Sequence, residues 1–156
     1  MVSPEEWGPN MWELLHGIAE RIGNQTKPLL IRDEQTELRM TLRQLAALMP
    51  CAKCQGHYRQ HIHKSFPNTS VYGVFLQDAI REWLYKLHED VNTRREIISN
   101  VKIEDLKEKY KSVDLRGCAT KLKSIYSRGV QIGVLKPDDW KIAWKHLDFL
   151  LRFIGT

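Results

Sequence analysis

Cysteine is scarce in this chain, with three residues among 156. That excludes the disulfide framework on which small secreted domains rely. Proline and glycine are also few, at six and nine residues, which excludes collagen-like and Pro/Gly-rich disordered classes. No uninterrupted apolar run approaches the roughly 20 residues that a membrane-spanning helix needs. Charge of one sign is lacking too. The net charge is +5, from 24 basic and 19 acidic side chains, and the signs are interspersed, so no nucleic-acid partner is called for. There is no strand–helix alternation and no internal repeat. The opening "MVSPEEWGPN" is acidic and has no apolar core, so it does not read as a signal peptide. The expected compartment is cytosolic and reducing, where a structural disulfide is rare.

What is present is helical periodicity. In "PEEWGPNMWELLHGIAERI", Trp12, Leu15, Ile18, Ala19 and Ile22 recur at helical spacing. Pro4 and two glutamates suit its start, and Gly23-Asn24 its end. "RDEQTELRMTLRQLAALM" repeats the pattern through Leu38, Leu42, Leu45 and Leu48, and Pro50 interrupts it. A third helix is expected from Pro50 through Tyr58 and Ile62 to the breaker "FPNTS". A fourth, in "VYGVFLQDAIREWLYKLHEDVNTRR", aligns Leu76, Ile80, Trp83, Leu87 and Val91. Beyond residue 95 the periodicity weakens, and "VQIGVL" could be a short strand without a mate. It returns in "PDDWKIAWKHLDFLLRFI". The reading is an all-α chain forming one domain over 1–156. It comprises a four-helix bundle over 5–95 and a helical C-terminal extension over 96–156. The last helix either covers its own bundle or builds a dimer interface.

The chemistry concentrates in "MPCAKC". Cys51, Cys54, His57 and His61 (or His63) could supply the four ligands that zinc prefers, but four ligands on one straight helix cannot surround an ion. Two buried core cysteines are the plain structural alternative. A redox pair fits better. A CxxC at a helix start meets unpaired N–H groups and the positive end of the macrodipole, and Lys53 adds a charge. A thioredoxin-like domain would need a βαβ context, and none precedes the motif. Such a pair needs an electron acceptor. Trp12 and His16 are four residues apart, as are His88 and Asn92, with Val91 beside them. Aromatic and imidazole faces can sandwich a flat ring, and Asn both donates and accepts. The rival from another class is a flavin-free helical binding module.

"WGPNMWELLH", "PCAKCQGHYRQHI" and "WLYKLHEDVN" resemble, in order and spacing, the signature segments of the Erv/ALR family of FAD-linked sulfhydryl oxidases. The likeness covers about residues 7 to 95, and its "WGPxxW" opening is most similar to versions encoded by large cytoplasmic DNA viruses. The resemblance implies a four-helix bundle, FAD as cofactor, no metal, and a homodimer. It implies dithiol protein substrates, such as a thioredoxin-like viral protein, with molecular oxygen as final acceptor. Action would be in the host cytoplasm or virion. By the same resemblance Cys51 is attacked by incoming thiols and Cys54 lies next to the isoalloxazine. Trp12 and His16 line the flavin; His88, Val91, Asn92 and Arg94 hold the adenosine end. Gly8 and His57, inside the first two segments, join the cofactor set. The chain departs from the family at Glu89, where asparagine is usual, and at Met49, where an aromatic often stands. Cys118 matches the second cysteine of a structural staple whose partner position is Tyr85. Cys118 is therefore expected to be a free, non-catalytic thiol.

Overall fold

The computed structural model describes residues 2–156. It is all helical, with no strand among the described residues. Helix α1 spans Pro4–Ala19, α2 Pro28–Arg43, α3 Ala52–Lys64 and α4 Val74–Arg94; α5 is a short turn at Leu106–Tyr110, and α6 and α7 span Leu115–Gln131 and Pro137–Phe153. Three of these start on a proline in the first turn, where its missing N–H costs nothing and its φ is already helical. Glu5 and Glu6, and then Asp138 and Asp139, place acidic groups at the positive ends of α1 and α7. Asp114 caps α6 by accepting from the Gly117 N–H at 3.0 Å.

Element boundaries differ from the sequence reading in four places. The second helix begins at Pro28 and stops at Arg43; Leu45–Leu48 then tightens into a 3-10 turn. Helix α3 begins at Ala52 rather than Pro50, with Cys51 as its extended N-cap residue. Nothing in "VQIGVL" is strand. Helix α6 runs through Gln131, and Gly133 at φ +81° turns the chain into α7. The weak region after residue 95 holds α6, whose Leu115, Cys118, Ala119, Leu122, Ile125, Tyr126 and Gly129 are all buried.

One apolar core runs through the chain from Val2 to Leu151. Helix α2 packs along α7, and α1 packs along both α4 and α6. The residues beyond 96 therefore supply two helices to the same core that α1 and α2 bury. The α1–α6 approach is close. A methyl on Gly17 would lie 2.5 Å from Leu115 Cδ2 and 3.3 Å from Val113 Cβ. Helices α1 and α4 are also pinned by Arg81, which donates to both carboxylate oxygens of the buried Glu20 at 2.8 and 2.6 Å. Helix α3 meets α4 through the edge-to-face contact of Tyr58 with Trp83, whose indole N–H donates to the Ser65 carbonyl at 3.1 Å. Among the described residues no helix is long and apolar enough to cross a membrane.

Because α7 is part of the core, Leu150→Ala should cost about 2–5 kcal/mol, the range for emptying a fully buried leucine site. The midpoint of denaturant unfolding reads this directly. An unchanged midpoint would contradict the packing of α7 described above.

Candidate functional site

The sequence before α3 determines where the cysteines stand. Pro50 has no N–H and a fixed φ, so the chain enters α3 extended, with Cys51 at φ −154° and ψ 109°. From that cap position the Cys51 sulfur accepts the Cys54 backbone N–H at 3.2 Å. The two cysteines are joined as a disulfide with their Cα atoms 5.2 Å apart. The bond therefore sits on the N-terminal end of a helix, where orphan N–H groups favour negative charge on sulfur.

The disulfide opens onto a cavity of about 280 Å³ between α1, α3 and α4. Six of the sequence-predicted cofactor residues line it: Gly8, Trp12, Cys54, His57, Val91 and Arg94. Its remaining walls are mainly apolar, from Trp7, Met11, Leu15, Leu45, Met49, Tyr58 and Leu87. Charge is confined to Lys53, Asp90, Arg94 and Arg95, with Arg94 paired to Asp90 at 3.3 Å and Arg95 paired to Glu5. A side chain on Gly8 would meet nothing within 4 Å. Glycine inside a helix costs roughly 1 kcal/mol relative to alanine, so an unfilled glycine facing a cavity favours a ligand there over packing. Trp7 lines the same cavity, and its buried Nε1 has no hydrogen-bond partner.

The other three predicted residues, His16, His88 and Asn92, line a second cavity of about 370 Å³. Trp12 stacks on His88 with ring centroids 3.9 Å apart and planes 8° from parallel. One ring of that stack belongs to each cavity, so the stack divides them. His16 Nε2 and His88 Nδ1 are 3.2 Å apart and share a proton between them as a hydrogen bond. Tyr110 of α5 lies flat on His16, with centroids 4.6 Å apart. The segment Ile97–Val101 and Lys109 close the far wall. The sequence reading thus gathers its residues into two adjoining chambers, rather than one.

Sequence reasoning missed Trp7, Tyr58 and Arg95 in the first chamber and Tyr85, Lys109 and Tyr110 in the second. Trp7 was findable, because it falls on the Gly8–Met11–Trp12 face of α1. Tyr110 was not, since only the α1–α5 contact brings it near His16. Among the described residues no three His, Cys, Asp or Glu side chains converge to hold a metal ion. His61 instead turns toward Trp83, with its pKa lowered by burial. Cys118 is free and buried; its thiol donates to Glu13 at 3.5 Å, and burial together with that carboxylate pushes its pKa up to about 11. Tyr85, at the staple's other position, donates to the Val101 carbonyl at 3.4 Å.

The two histidines are held neutral. Burial, then His88 and Lys109, lower the His16 pKa to about 3, and burial with Lys109 lowers that of His88 to about 4. In the unfolded chain both return to about 6.5. Below pH 6.5 the unfolded chain therefore binds protons that the folded chain does not. Stability is fully present above pH 6.5 and falls as pH drops from there toward 4, by up to about 1.4 kcal/mol per pH unit for each histidine. Urea midpoints at pH 7.5, 6 and 5 should decline in that order. His88→Ala should flatten the decline; an equal slope in that variant would remove His88 from the account.

No curated protein and no solved structure is found to match this chain. A protein-family description does match it, that of the Erv1 / Alr family, over residues 9–111. The matched region holds the cysteine pair, the Trp12–His88 stack and the walls of both chambers apart from Pro4, Trp7 and Gly8. Since that region is well over half of the chain, the protein belongs to the Erv1/Alr family of sulfhydryl oxidases.

Proposed function

We propose that this chain is an FAD-dependent thiol oxidase that makes disulfides in dithiol proteins and passes the electrons to oxygen. The observation that carries the reading is the Cys51–Cys54 disulfide, set on a helix N-terminus and opening onto a mainly apolar chamber. The residues present fit FAD. The open space over Gly8 and the unpartnered Trp7 N–H favour a flat heteroaromatic group in the first chamber. The second chamber offers His88, Asn92 and the Lys109 ammonium for the adenosine end, with the neutral His16 ring, expected at the flavin, beside them.

A substrate thiolate attacks the Cys51 sulfur, the Cys51–Cys54 bond breaks, and Cys54 leaves as a thiolate. The second substrate thiolate attacks the mixed disulfide at the substrate's own sulfur. It forms the product disulfide and releases Cys51. Two electrons now reside on the cysteine pair. FAD supplies, when bound, a two-electron acceptor that can hand the pair on to oxygen and give hydrogen peroxide. The protein's own contribution is electrostatic. The first-turn N–H groups of α3, with Lys53 beside them, stabilise the sulfur anion at each exchange. His57, on the same wall, belongs to the residues that would hold the cofactor. The same reading takes a homodimer as the working unit. The "WGPNMW" opening supports a version like those of large DNA viruses, acting in the host cytoplasm or virion.

Purified protein should be yellow and should consume oxygen with a dithiol. Cys51→Ser and Cys54→Ser should each reduce turnover to background while keeping helical content. Normal oxygen consumption by Cys51→Ser would overturn the assignment. Gly8→Ala separates site from fold. It should leave the flavin-free protein as stable as before, or up to about 1 kcal/mol more stable. It should also weaken FAD binding about tenfold, as filling a ligand's space does. Unchanged FAD affinity in that variant would show that the chamber does not hold the flavin.

A further inference from the structure

We propose that Gln55 is a positioning residue for the redox pair, clamping Cys51 and tying it to the turn between α6 and α7. Its backbone N–H donates to the Cys51 carbonyl at 2.9 Å, the first helical bond of α3. Its side-chain amide reaches back and donates to the Met49 carbonyl at 2.7 Å. That same carbonyl accepts the Cys51 N–H at 2.8 Å, across Pro50. Gln55 therefore holds both flanks of Cys51. The amide carries two hydrogens, and a second bond from Nε2 runs to the Val134 carbonyl at 3.2 Å.

Val134 lies in the α6–α7 turn, which is itself well fixed. The Val134 and Leu135 N–H groups both donate to the Gly129 carbonyl, at 3.1 and 3.2 Å. Gly129 backs directly onto Pro50. A methyl on it would lie 3.2 Å from Pro50 Cβ and 2.8 Å from Leu135 Cδ1. Thus the segment that presents Cys51 rests on residues some 80 positions later.

The clamp matters when the disulfide is open. While the S–S bond exists, it ties Cys51 to Cys54 covalently. Once a substrate thiolate has broken it, only hydrogen bonds keep Cys51 extended, with its sulfur over the Cys54 N–H. Gln55 supplies two of them. It therefore governs the thiolate character of reduced Cys51 and the readiness of the pair to close again. The inference rests on the thiol-oxidase reading for its purpose, but its test does not need flavin or oxygen.

The test measures alkylation of Cys51 against pH in the full-length, reduced protein carrying Cys54→Ser. Peptide mass spectrometry excludes Cys118. Gln55→Glu keeps the shape but faces a carboxylate to two carbonyl oxygens; Gln55→Met keeps the length without a donor. Both should move the Cys51 titration upward by about one unit, a roughly tenfold slower alkylation at pH 7. Thermal unfolding is followed in parallel. Gly129→Ala, which alters neither cysteine nor Gln55, should shift the profile the same way through Pro50. A wild-type titration profile in the folded variants overturns the proposal, even if their melting temperatures fall. A shifted profile in these variants, alongside a wild-type protein with both cysteines that never oxidises dithiols, would sustain the clamp and sink the proposed function instead.

Discussion

Helix α1 carries the site because it is wedged between α4 and α6, and the wedge leaves it no freedom to turn. On one side Gly17 lets α6 approach to within a side chain's width of the α1 backbone. On another, Arg81 of α4 grips Glu20 just past the helix end. Leu14, Leu15, Ile18 and Ala19 are almost wholly buried between. With rotation and slide both fixed, Gly8, Trp12 and His16 are delivered to the chambers as a rigid row. Surface pairs such as Arg128 with Glu6 contribute little to this, since exposed ion pairs are worth about 0–1 kcal/mol each. Each buried leucine is worth several times that.

The chemistry of the second chamber follows from a contest that burial wins. His16 and His88 face each other and Lys109, and no carboxylate is among the groups that set their pKa values. Desolvation therefore dominates, and both imidazoles stay uncharged at neutral pH. An uncharged ring has one donor and one acceptor and a flat face free of counter-ions. That is a surface suited to stacking and hydrogen bonding with a heterocycle, as the Trp12–His88 and His16–Tyr110 stacks already illustrate.

Much of this was legible in the sequence. The all-helical class, the first four helices and the last helix followed from apolar spacing, with proline-led starts read at Pro4 and Pro137. The set Gly8, Trp12, His57, Val91 and Arg94 does meet the cysteine pair in one chamber. What was not legible has definite physical causes. Helix α6 buries Leu115, Cys118, Ala119, Leu122, Ile125, Tyr126 and Gly129 at helical spacing, but two glycines weaken its propensity, and the close approach of Gly129 to Pro50 and Leu135 is invisible without those partners. The break at Gln44 depends on tertiary packing of Leu45–Leu48 against α3 and α7. The division into two chambers depends on a stack between residues 76 positions apart. "VQIGVL" has strand-like composition, but the α6 helix and a left-handed glycine claimed it.

Cys118, on α6, meets α1 at Glu13. Its thiol is 5% exposed, faces Glu13 and is pushed up to about 11. Oxidants act on thiolates, and a thiol titrating so far above neutral offers almost none. The proposed reaction would release peroxide. A third cysteine of ordinary acidity would then be a target for sulfenic acid formation and a trap for misrouted disulfides. In its present setting it is chemically quiet: the chain carries one responsive cysteine pair, and its remaining cysteine offers little thiolate to the oxidant that the pair would generate.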